Sequence, residues 1–261
     1  MNDQTNEFLH YLAWNTDGSN LGPFRLLTDS FESWAYPGDL MRQAERLAQR
    51  QLIERDPKHP RKPRYRLTHE GLLHTLGGHY PPDRWARKWD GQWRMVVFDI
   101  SKGHNTLRQA LLRYLRQRGF GCLQDSVWIT PDPMDEERRL LRREMTNVEQ
   151  LILLNTQPCA GETDQQLVAG AWKFSRIHTL YSKYLAILKR CPQTPLTTRT
   201  AARRLKEWAT TERWAWLEVI ELDPLLPAPL LPRGYMGKRV WNERARVLSK
   251  AARLLTTFTQ A

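Results

Sequence analysis

Cysteine is scarce: Cys122, Cys159 and Cys191 are scattered through 261 positions with no Cys-x-x-Cys pair. An odd, dispersed set argues against a disulfide framework, and without histidines at ligand spacing it offers no zinc site. Reduced, inert thiols are expected. Long apolar runs are missing too, none approaching the roughly 20 residues that cross a bilayer. The opening MNDQTNEFLH does not resemble a signal peptide. The expectation is a cytoplasmic protein with no membrane partner and no cofactor. Acids are outnumbered, 28 Asp and Glu against 40 Lys and Arg, for a net charge of +12. That excess favours an anionic partner but does not choose among nucleic acid, acidic protein and anionic metabolite.

The distribution of charge says more than its sum. Residues 1–41 hold one cation against six acids, net −5, while residues 42–66 hold nine cations against three acids, net +6. Residues 155–261 carry a second, more diffuse excess of +9. The stretch RQLIERDPKHPRKPRYRLTHEG, residues 50–71, contains two short alternating runs around a tip broken by Pro57, Pro60 and Pro63. Prolines cannot donate ladder hydrogen bonds, so the middle projects as a loop between two strands. A solvated loop is one reading of its cations, contact with a polyanion the other.

Just upstream, YPGDLMRQAERLAQR predicts a helix starting after Pro37-Gly38, with Asp39 in its first turn. At 100° per residue, Leu40, Ala44, Leu47 and Gln51 share one face, and Asp39, Arg42, Gln43, Arg46 and Arg50 lie opposite. A charged outer face is ordinary for a surface helix. The order of elements changes that weighting. Helices around residues 3–14 and 24–34, the cationic helix and a basic hairpin resemble a winged helix-turn-helix over residues 1–80. In that plan the third helix reads the major groove of double-stranded DNA and the wing follows the backbone. Arg42, Gln43, Arg46 and Arg50 would face bases; Lys58, Arg61, Lys62 and Arg64 would displace counterions from phosphate. Gln51 occupies the exit turn where many such domains carry glycine.

Residues 81–91, PPDRWARKWDG, read as a linker. A second unit is expected over 92–157. WRMVVFDI is a buried-strand run, residues 107–115 repeat apolar positions at helical spacing before Gly119, and FGCLQDSVWITP packs two strands. A charged helix, MDEERRLLRREM, and the strand QLILLN complete the order β-α-β-β-α-β, the ferredoxin-like plan. Residues 165–261 predict a mostly helical third domain, so the fold class is α+β.

Three motifs, WDGQWRMVVFDI, RGFGCLQDSVWITP and DPLLPAPLLPRGYMGKR, resemble the PaaX family of bacterial transcriptional regulators. The resemblance implies an N-terminal winged helix, a central domain resembling the small CRISPR-associated nuclease, and a C-terminal helical domain for dimerisation and effector binding. It implies a homodimeric repressor on a palindromic operator, not an enzyme, released in some members by a small anionic effector such as an acyl-CoA. Ser101 and the long acidic first 41 residues are atypical of the family.

The alternative is catalytic. In the CRISPR-associated relatives an Asp ending the first strand pairs with its copy across a dimer axis to hold a metal, and Asp99 occupies that position. Paired carboxylates suit Mg²⁺, although a strand-ending Asp more commonly caps a turn. His104 reads as a helix-start residue. Among the tryptophans, Trp172, Trp208, Trp214, Trp216 and Trp241 read chiefly as core or dimer contacts, with an aromatic-lined pocket as the other reading. Lys173, Arg176, Lys183 and Arg213 are the loose candidates for holding an anionic effector there.

Overall fold

The structure is a computed structural model and describes residues 3–14, 16, 21–27, 30–100, 105–134 and 150–258. The chain forms two compact units. One takes Met1–Tyr80, Thr179–Ile220 and Met236–Ala261; the other takes Pro81–His178 and Glu221–Tyr235.

The first unit opens with α1 (Asp3–Ala13), β1 (Arg25–Leu26), α2 (Phe31–Ala35), α3 (Leu40–Gln49), β2 (Ile53–Arg55), β3 (Arg64–Leu67) and α4 (His69–Thr75). Its sheet runs β1-β3-β2, and the antiparallel register sets Ile53 opposite Leu67 and Arg55 opposite Tyr65. Alternation decides the faces of β3, where Tyr65 and Leu67 are buried between half-buried Arg64 and Arg66. The helix expected over residues 24–34 is shorter and later. Residues 25–26 instead pair with Arg64 and Tyr65. The helix starts at Phe31 because the Ser30 side chain accepts from the Ser33 N–H at 3.2 Å.

Most of α8 (Phe174–Lys189) and α9 (Arg199–Leu222), with all of α10 (Gly237–Leu255), belong to this same unit. The expected separation of residues 165–261 as a domain of their own differs from this division. The reason is aromatic and polar packing of α1 onto α9: Trp14 meets Trp208 edge-on at 5.9 Å, and the Thr210 hydroxyl donates to Glu7 at 2.8 Å.

The second unit contains α5 (Pro81–Ala86), β4 (Trp93–Asp99), α6 (Asn105–Gln117), β5 (Gly121–Gln124), β6 (Val127–Thr130), β7 (Gln150–Thr156), α7 (Asp164–Ala171) and a 3₁₀ turn over Ala228–Leu230. Residues 81–86, read as linker, form a helix whose Trp85 is buried. The sheet order is β5-β6-β4-β7, and every pairing is antiparallel. One face packs Val96, Phe98 and Trp128 against Leu111, Leu112 and Leu115 of α6. The other carries Trp93 and Ile129 against Val168, Trp172, Leu226 and Leu230. The charged helix expected from MDEERRLLRREM falls outside the described residues beyond Met134, as do Ser101 and His104.

Candidate nucleic-acid interface

Helix α3 buries Leu40, Ala44 and Leu47, and Arg42, Arg46 and Arg50 are exposed. Gln43 is not among the outward groups. It is 1% exposed, and its amide donates to the Asp39 carboxylate at 3.1 Å. The physical reason is spacing: positions 40, 43, 44 and 47 follow i, i+3, i+4, i+7, so Gln43 lies on the inner stripe. The outward side of α3 therefore carries a row of three arginines, the last at its C-cap, beside exposed Glu45 and Gln49.

The helix passes into β2 through a tight exit. The Leu52 N–H donates to the Leu47 carbonyl at 3.0 Å and the Gln51 N–H to that of Ala48 at 2.9 Å, the paired closure of a Schellman turn. Gln51 takes φ 59° to make it.

In the hairpin the cations divide into two groups. Arg55 donates to the Pro60 carbonyl at 2.6 Å, bracing the tip. Arg66 pairs with Glu54 across the strands and lies over the Phe24 ring at 4.5 Å. Lys58, Arg61 and Lys62 are exposed, and Arg64 is half-buried. Asp56 organises the turn: its carboxylate accepts from the Lys58 N–H at 2.9 Å and meets His59 Nδ1 at 2.6 Å. The Lys58 N–H foremost, with His59 beside it, holds this carboxyl below its ordinary range. The one acid among the tip cations is thus engaged by the loop itself.

Elsewhere the candidates are dispersed. Asp99 ends β4 exposed, opposite Gln150. Among the described residues no three His, Cys, Asp or Glu groups gather in a way that could hold a metal. Trp172, Trp208 and Trp216 are buried, while Trp214 is 52% exposed. Lys173, Arg176 and Lys183 are exposed, whereas Arg213 is buried, its guanidinium 4.7 Å from the Trp214 ring.

Sequence reasoning missed a buried ionic cluster in the first unit. Glu212, fully buried on α9, accepts from Arg244 of α10 at 2.9 Å, from the Tyr184 hydroxyl of α8 and from His10 Nε2 of α1 at 2.7 Å. Burial would raise this carboxyl, but Arg244 and His10 overcome it and hold it at about 2. Burial is the larger influence on His10 and pushes the imidazole below its ordinary value despite Glu212. The signal was present: Glu212 interrupts the apolar stripe Leu205, Trp208, Ala209, Trp216 and Val219 at helical spacing.

Among solved structures, an uncharacterised protein from Mycobacterium tuberculosis, Rv0674, shares the fold at TM-score 0.54 and 18% identity, covering 84% of this chain and 83% of that one. No curated protein matches the chain. No helix among the described residues is long and apolar enough to cross a membrane. Residues 86–168, which include β4, β5, β6 and β7, match the family model described as the PaaX protein central Cas2-like domain. The resemblance to PaaX proteins that three short motifs carry is thus shown over residues 86–168, the central third of the chain.

Proposed function

We propose that this protein is a sequence-specific transcriptional regulator that binds double-stranded DNA as a homodimer and represses from a palindromic operator. The observation that carries the reading is the exposed row Arg42, Arg46 and Arg50 on a helix that runs directly into a hairpin presenting Lys58, Arg61 and Lys62. The order α1, β1, α2, α3, β2, β3, with the three strands in an antiparallel sheet ordered β1-β3-β2, supports a winged helix-turn-helix reading. The order β5-β6-β4-β7 supports a ferredoxin-like central domain. In this reading α3 enters the major groove, where arginine recognises guanine edges, and the hairpin follows the phosphates. Gln43 contributes by fixing the start of the helix rather than by reading a base. A small anionic effector such as an acyl-CoA would act by releasing the operator.

Fluorescence anisotropy on the protein's own promoter tests the reading. Binding should weaken linearly on a log–log salt plot, with a slope of about 0.9 per neutralised phosphate. Arg46→Ala should relax base choice by about 1–3 kcal/mol at one position, while Lys62→Ala should weaken all sequences alike. Unchanged binding after loss of both the helix and the hairpin cations would refute the assignment. Incubation with labelled DNA and RNA in Mg²⁺ or Mn²⁺ separates it from a nuclease, for which cleavage would be lost in Asp99→Ala.

A further inference from the structure

Between Asp164 and Glu207 the sequence contains no acid, and from Arg244 to Ala261 it contains none again. The first unit brings parts of these two stretches together. The Leu196 N–H, between α8 and α9, donates to the hydroxyl of Thr257, just beyond α10, at 3.1 Å. The end of α8, the beginning of α9 and the end of α10 therefore meet, bringing Lys189, Arg190, Arg203, Arg204, Lys250 and Arg253 to one end of the unit, all exposed.

The helix macrodipole accounts for cations at the ends of α8 and α10. It does not account for those on α9, whose first turn carries Arg199 and no acid where the dipole favours negative charge, and whose second turn adds exposed Arg203 and Arg204, with exposed Glu207 one turn further along. Like charges gathered in this way repel one another unless an anion lies among them.

This end of the unit adjoins the base of the cationic helix. Lys206, one turn after Arg203, donates to the Ala35 carbonyl at 3.2 Å and lies 4.7 Å from the Tyr36 ring. Phe258, just beyond α10, meets Phe31 at 5.9 Å and Trp34 at 6.0 Å. Both contacts fall on α2 or on Tyr36 beside it, and the chain passes from there into α3 within a few residues.

We infer that the acid-free end formed by α8, α9 and α10 is a second contact for duplex DNA, taking backbone phosphates that flank those held by α3 and the hairpin. The inference rests on the regulator reading and extends its footprint. It gives the diffuse C-terminal charge a structural position and a partner, and it requires no base recognition there.

The test uses the full chain and a duplex selected in vitro from a random library, once at its minimal length and once extended by about one helical turn, roughly 10 bp, on each side. The wild type should bind the longer duplex about tenfold more tightly and with a salt slope steeper by about 0.9 for each added phosphate contact. Arg203→Gln/Arg204→Gln/Lys250→Gln/Arg253→Gln should lose that gain while holding the short duplex within about twofold of wild type. The charge-conserving Arg203→Lys/Arg204→Lys/Arg253→Lys should keep the gain. If the fourfold variant melts early, the double variant Arg203→Gln/Arg204→Gln takes its place and should lose part of the gain. A patch variant that matches wild type in both length and salt dependence overturns this inference alone. Arg46→Ala/Lys62→Ala should weaken both duplexes, and a wild type that binds no duplex overturns the regulator reading with it.

Discussion

At Gln51 the backbone takes φ 59° so that the chain can leave α3 and enter β2 without a gap in hydrogen bonding. A side chain in this region costs about 1–2 kcal/mol, which glycine avoids. Gln51→Gly should therefore raise the stability of the first unit by about 1 kcal/mol, read as a higher urea midpoint at constant slope. Glu212 is the opposite case. Arg244 and His10 are fully buried with it and have been arranged around its charge. Glu212→Gln should cost about 3–5 kcal/mol, because it leaves Arg244 as a buried cation without its counter-charge. Neither residue was hidden in the sequence. The place of Gln51 between helix and hairpin marks it as the exit turn, but its residue type does not reveal the left-handed conformation it adopts. Gln43 lies one step from Leu47 on the helical wheel, on the flank of the apolar stripe rather than opposite it, which is why it turns inward.

The junction of α3, β2 and α4 works as one element. The Thr68 hydroxyl donates to the Gln51 carbonyl at 2.6 Å and accepts from the Gly71 N–H at 3.0 Å, so a single side chain caps α4 and ties it to the end of α3. Gly71 makes that approach geometrically feasible: a Cβ there would lie 1.9 Å from the Leu52 carbonyl oxygen, a backbone atom. Gly71→Ala must push α4 away from β2, and it should destabilise the protein by about 1–3 kcal/mol or more in chemical denaturation. On the proposed regulator reading it should also weaken duplex binding, because the hairpin springs from that strand. Elements with strong periodicity, α3 and β3 above all, were readable from the chain because their apolar spacing matches one secondary structure. Two others were not. β1 has only two residues and gains its hydrogen bonds from β3. α5 begins with two prolines, which suit a first helical turn as well as they suit a linker.

Across the whole molecule, acid should act on the first unit through its buried cluster. The folded Glu212 carboxyl sits at about 2 against an ordinary 4.5. Its contribution is complete above pH 4.5 and is lost as pH falls from there through 2. The His10 imidazole lies below its ordinary 6.5, so the folded state favours its neutral form, and stability is also lost as pH falls below 6.5. Both signs agree. Thermal midpoints should decline from pH 6.5 downward and steeply below 4.5, and Glu212→Gln should flatten the part of that decline below 4.5. The sequence by itself determined the cationic helix, the basic hairpin, the order of the central strands and the family motifs, because spacing, prolines and charge are local properties of the chain. Tertiary structure alone decided that α9 and α10 share a unit with α1 and that cations far apart in sequence gather at one end. Those outcomes depend on contacts such as His10 with Glu212, 202 positions apart, and no pattern within a few helical turns can encode which distant partner a buried charge will find.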